Sequence, residues 1–125
     1  MNCKDLMVGD WFKSVDYNSP FRITAIYDDV VQTQADYQSE IDGNWYSEAE
    51  IKDLVPIELT EEILVKNGFE KFAESQTLFD YTDNDIHLEY WIGDGCFRYY
   101  TAEIRYVHQL QHLLRLCGVE KELTI

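Results

Sequence analysis

Positive charge is scarce in this chain. Ten Lys and Arg stand against twenty-four Asp and Glu, which leaves a net charge of −14. A protein that grips nucleic acid must displace counterions from phosphate with positive charge, so direct DNA or RNA binding is not expected, nor is adhesion to an anionic bilayer. Cysteine is sparse as well. Cys3, Cys96 and Cys117 are odd in number and show no CxxC spacing, so they read as reduced thiols of a cytoplasmic protein. No apolar run precedes Cys3 as a secretory or lipoprotein signal would require. No stretch approaches the roughly 20 apolar residues that cross a bilayer.

The signatures of common chemistries are missing too. Neither GxGxxG nor GxxxxGK[ST] occurs, and Gly93-Asp-Gly95 reads as a hairpin turn instead of a phosphate cradle. There is no GxSxG. His108 and His112 are four apart on one side of a helix, a weak metal-chelating pair, but position 109 is Gln where the zinc-protease pattern needs Glu. A third ligand would have to come from Cys3, Cys117 or His87. The expectation is therefore a protein with no catalytic residue and no cofactor; the enzyme or metal-binding alternative rests on His108 and His112.

What the chain does have is a core. Apolar residues make up 46% and aromatics 14%, enough to argue against disorder. Nine Tyr, six Phe and three Trp favour strands, where flat rings pack on a pleated surface. The length fits one domain or two very small lobes sharing a core.

Residues 1–57 read as short strands: 11–15, 21–27, 30–34, a pair of aromatics at Trp45-Tyr46, and 51–57. Asn18-Ser-Pro20 is expected to break the first two apart. Phe21, Ile23 and Ala25 alternate before the pattern slips at Ile26. Pro56 implies an edge or an end. Such strands suggest a small SH3-like barrel. Thr60-Glu61-Glu62 then opens a short helix with Thr60 as its cap, and Gly68 closes it.

From 71 to 102 the strands return, at 77–81, 86–92 and 96–100, as an antiparallel meander. Ile86, Leu88 and Tyr90 share one face; His87, Glu89 and Trp91 share the other. A final amphipathic helix is expected from about 103 or 105 to 117, on a stripe of Ile104, Val107, Leu110, Leu113, Leu114 and Cys117. Glu122-Leu-Thr-Ile125 reads as a trailing strand. The fold class is α+β: an SH3-like lobe at 1–57, then a lobe at 58–125 of helix, β-meander, helix and strand, together one unit.

The run Tyr106-Val-His-Gln-Leu-Gln-His-Leu113 with Gly118 and Glu122-Leu123 resembles the closing block "YVHQLQNLYFALTGEEL" of a family of short uncharacterised proteins of gut anaerobic bacteria and their phages and mobile elements. Val55-Pro-Ile-Glu-Leu-Thr-Glu-Glu-Ile-Leu-Val-Lys-Asn-Gly-Phe69 is similar to that family's "PIPLTEEILLKLGF" block, and Asp5-Leu-Met-Val-Gly-Asp10 to its "DLRIGN" start. The resemblance spans nearly the whole chain and implies no activity, cofactor or catalytic residue. This chain departs from the pattern at His112, where Asn is usual, and at Leu114-Arg115-Leu116, where Tyr-Phe-Ala is usual. The implied setting is a small accessory protein of a phage or prophage.

Eleven carboxylates fall between Asp28 and Glu62, against Lys52 alone. They sit in polar segments without the apolar surround that raises a carboxyl pKa for catalysis, so a solvated or partner-binding face is expected. Tyr17, Tyr27, Tyr37, Trp45 and Tyr46 lie in or beside the same loops. The candidate partner-binding residues are Asp28, Asp29, Asp36, Tyr37, Glu40, Asp42, Trp45, Glu48 and Glu50. The expected function is protein–protein interaction with an unknown, basic partner; the alternative is an acidic DNA mimic that inhibits a nucleic-acid-binding protein.

Overall fold

A computed structural model of the chain describes residues 6–15, 17–39, 41–71, 78–81, 86–91, 93–119 and 122–125; the side chains of 17, 18, 35–37, 78, 80 and 81 lie outside that description. The fold is α+β, built on antiparallel strands with a curled, half-barrel sheet and two helices. It divides into two units, Met1–Ile57 and Glu58–Ile125.

The first unit is one five-stranded sheet: β1 (Trp11–Ser14), β2 (Tyr17–Tyr27), β3 (Val30–Gln38), β4 (Trp45–Glu50) and β5 (Leu54–Pro56), in the order β4-β3-β2-β1-β5. Alternation places Phe12, Phe21, Ile23, Val31 and Ala49 on the buried face, joined by Leu6, Ile51 and Leu54. The slip at Ile26 marks a one-residue shift of the β2–β3 register between Ile23 and Ala25, so Ile26 packs against the edge of this core. Two expectations need correction. Pro20 does not end a strand; β2 runs through it, because it falls where the β1–β2 register shifts between Phe12 and Ser14 and no regular ladder donor is required. Residues 51–57 are not one strand either. Ile51–Asp53 forms a 3₁₀ turn, and only β5 pairs with β1, Pro56 standing opposite Phe12 on the end strand.

The second unit opens with α1 (Glu61–Lys66). The Thr60 hydroxyl accepts the Ile63 amide at 3.3 Å, and Gly68 leaves the helix at φ +96°, a conformation that costs other residues a Cβ clash. A second five-stranded sheet follows as a plain meander: β6 (Phe69–Lys71), β7 (Leu78–Tyr81), β8 (Ile86–Trp91), β9 (Cys96–Tyr99) and β10 (Ala102–Ile104), each paired antiparallel with its neighbour in the chain. Ile86 and Leu88 point inward while His87, Glu89 and Trp91 are exposed, as their spacing requires. The strands β6 and β10, three residues each, are additions to what the sequence pattern shows.

The helix α2 covers Val107–Leu116. Its start is later than expected. Ile104 belongs to β10, in register with Phe97, and the Gln109 side chain accepts the amides of Arg105 at 2.7 Å and Tyr106 at 3.1 Å, which fixes the first turn after Tyr106. Val107, Leu110, Leu113 and Leu114 are buried as the stripe predicts, but Cys117, at the helix end, is exposed. The trailing strand is also corrected. Residues 122–125 form no ladder; Asn67, at the end of α1, holds Thr124 by its side-chain amide instead. Among the described residues no helix is long and apolar enough to cross a membrane.

Candidate partner-binding surface

The strand β4 stands at one end of its sheet, and five of its six residues are exposed; Ala49 alone turns into the core. Its alternation sends Tyr46, Glu48 and Glu50 to the outer face. Trp45 falls on the Ala49 side of that alternation yet, at the start of the strand, is 67% exposed. At one end of β4 lies the β2–β3 turn with Asp28 and Asp29, tied in by the Ile51 amide donating to the Asp29 carbonyl at 2.8 Å. At the other end Asp42 accepts the Asn44 amide at 2.9 Å and the Tyr46 hydroxyl.

That phenol, the Asn44 amide and the Ser39 hydroxyl hold the Asp42 carboxyl below the usual aspartate value, with the phenol the largest cause. The Lys52 ammonium is pushed up by its hydrogen bond to Glu50, 3.1 Å away, with Asp53 and Asp29 adding to the effect. At the Glu50 end of β4 one lysine therefore stands among several carboxylates and the local charge is net negative; the exposed indole of Trp45 is at the other end of the strand, near Asp42 in the chain.

Of the residues singled out from sequence, Asp28, Asp29, Asp42, Trp45, Glu48 and Glu50 come together on and around β4. Asp36 and Tyr37 lie on β3 with side chains outside the description, and Glu40 is outside the described residues. Of the other aromatics, Tyr27 is exposed at the end of β2, while the Tyr17 side chain is not described.

His108 and His112 are both on α2, their rings meeting edge to face at 5.7 Å. His108 is only 6% exposed and stacks on Tyr106. Among the described residues the one cluster of three potential metal ligands excludes both. It comprises Asp94, Cys96 and Glu103, with ligand atoms within 4.8 Å of one another.

Sequence reasoning did not find this cluster, because it forms only when β8, β9 and β10 align. Glu89, Arg98 and Glu103 stand in register across those strands. Arg98 binds Asp94, reaches Glu103 at 3.5 Å, and lies 4.6 Å over the Trp91 ring. Arg105 donates to Glu103 at 3.0 Å. Both guanidinium groups are driven above their ordinary pKa, Arg98 first by Asp94 and Arg105 first by Glu103. Two arginines match the two carboxylates, so the cluster is an ion-pair network closed over the Cys96 thiol, which is 2% exposed.

No family model, curated protein or solved structure matches the chain.

Proposed function

We propose that the protein is a non-enzymatic, cytoplasmic accessory protein that binds a basic partner protein along the β4 end strand of its first unit. The observation that carries this reading is Trp45, two-thirds exposed at the start of an end strand that also exposes Glu48 and Glu50 and whose Tyr46 holds Asp42. The exposed indole offers a broad aromatic surface on the same strand as Glu48 and Glu50. Tryptophan beside charge is the composition of an interface anchor rather than of a solubilising surface. Like charges along β4 also repel a second copy, so the face selects an opposite charge instead of itself.

The sheet order supports a small SH3-like barrel for the first unit, since β5 returns through a 3₁₀ turn to pair with β1. The free thiols at Cys96 and Cys117 suit a reducing compartment. The phage or mobile-element origin rests on the resemblance of the three sequence blocks. A partner that normally holds nucleic acid is the narrower form of the same reading: a duplex competitor would then displace the protein.

The test is a residue-resolved NMR titration of the ¹⁵N-labelled chain with a short lysine- and arginine-rich peptide. The reading predicts shifts concentrated at 41–50 and at Asp28-Asp29, weakening as salt rises. Shifts spread evenly over acidic residues of both units would contradict it.

A further inference from the structure

The second unit contains a cavity of about 410 Å³ whose described walls are of two kinds. Its floor is aromatic. Phe79 and Phe97 meet edge to face at 5.4 Å, and the half-buried Tyr90 lies 5.0 Å from Phe97. Its rim carries the exposed Glu58 and Glu61, one on each side of Leu59-Thr60. Among the described lining residues there is no basic side chain.

Each wall is fixed by the fold. Tyr90 and Phe97 are register partners on β8 and β9, which sets their rings side by side on the inner face. The rim segment is clipped in place by the Glu58–Tyr106 bridge and by the Leu59 amide donating to the Arg105 carbonyl at 2.9 Å. Ring faces carry negative quadrupole potential and the described rim carries formal negative charge, so the described lining favours a cation over an anion.

The chain already shows what kind of cation suits these groups. The Lys71 ammonium, at the end of β6, lies 6.0 Å over the Phe79 ring and 3.5 Å from Glu61. It thus engages one ring and one carboxylate that also line the cavity. We infer that this cavity is a binding site for an alkylammonium group, with the alkyl stem on the Phe97 and Tyr90 rings and the nitrogen between Glu58 and Glu61. A lysine side chain and a free aliphatic amine share this chemistry. Lys71 acts as an internal competitor for Glu61 and Phe79. The inference stands on the second unit alone and is independent of the β4 face.

The test uses the full chain and n-butylammonium, followed by NMR at Tyr90, Gly95 and Phe97. The site predicts saturable shifts there in the millimolar range, none with n-butanol, and loss with the Glu58→Gln/Glu61→Gln double variant. The Lys71→Met variant should bind roughly fivefold tighter, the combined scale of one exposed ion pair and one cation–π contact. Lys52→Met removes the same charge in the other unit and should change nothing. An Nα-acetyl-lysine amide that binds more tightly than butylammonium assigns the site to a peptide, and the reverse order assigns it to a free amine. Equal shifts with butanol, or equal effects of Lys71→Met and Lys52→Met, would overturn the inference.

Discussion

The side-chain amide of Asn67 pairs with the backbone of Thr124 as one strand pairs with another: its oxygen accepts the Thr124 amide at 2.7 Å and its nitrogen donates to the Thr124 carbonyl at 2.7 Å. The same nitrogen donates to the Ile63 carbonyl at 2.8 Å, so one residue closes α1 and anchors the end of the chain. Asn67 is 1% exposed, and Leu123, beside the clamp, is buried. Replacing Asn67 with Ala removes three hydrogen bonds and leaves backbone groups without that partner. The expected cost is about 2–3 kcal/mol in urea unfolding. Asn67→Asp loses both donations and sets a carboxylate against two carbonyls, so it should destabilise at least as much at neutral pH.

The network over Cys96 makes a prediction about thiol reactivity. Cys96 occupies the face opposite Phe97, yet it is buried, because Arg98 and Trp91 stack across that face. Cys117 is exposed. Alkylation followed by peptide mass spectrometry should modify Cys117 at once and Cys96 only slowly. Arg98→Ala, which removes the cation from the stack and from Asp94, should speed Cys96 labelling at least tenfold. Equal labelling of the two thiols in the unaltered protein would show that the cover does not exist.

Much of this architecture was legible in the chain. The slip at Ile26 is the trace of a register shift, and the inward set Ile86, Leu88 and Tyr90 follows from alternation alone. Thr60 and Gly68 announced the ends of α1 because capping is a local matter. Three residues cannot display a period, so β6 and β10 leave no signal in the sequence, and Ile104 of β10 fits the apolar stripe of the helix it precedes. The Asn67–Thr124 clamp joins residues 57 positions apart, which no local rule reaches. The acidic face of β4 was legible in composition. The aromatic cavity was not, because its rim comes from 58–61 and its floor from β7 to β9.

Asp42 offers a pH-dependent readout. Its folded-state pKa is lowered, chiefly by the Tyr46 hydroxyl, so the contact contributes above the ordinary aspartate value of 3.8 and is lost as pH falls through the lower folded value. Tyr46→Phe should return the Asp42 carboxyl towards 3.8, as followed by carboxyl-carbon NMR. No change in its titration would mean that the phenol is not the cause.

Trp45 is the residue on which binding along β4 turns. Its replacement by Ala leaves the net charge unaltered, so a binding reaction driven by general acidity would not notice it. Calorimetric titration with the basic peptide should show Trp45→Ala weakening affinity at least tenfold, the scale of an interface anchor, with thermal stability held near that of the parent protein. Unchanged affinity in Trp45→Ala would contradict an anchoring role for Trp45 and leave the carboxylates as a solvated surface.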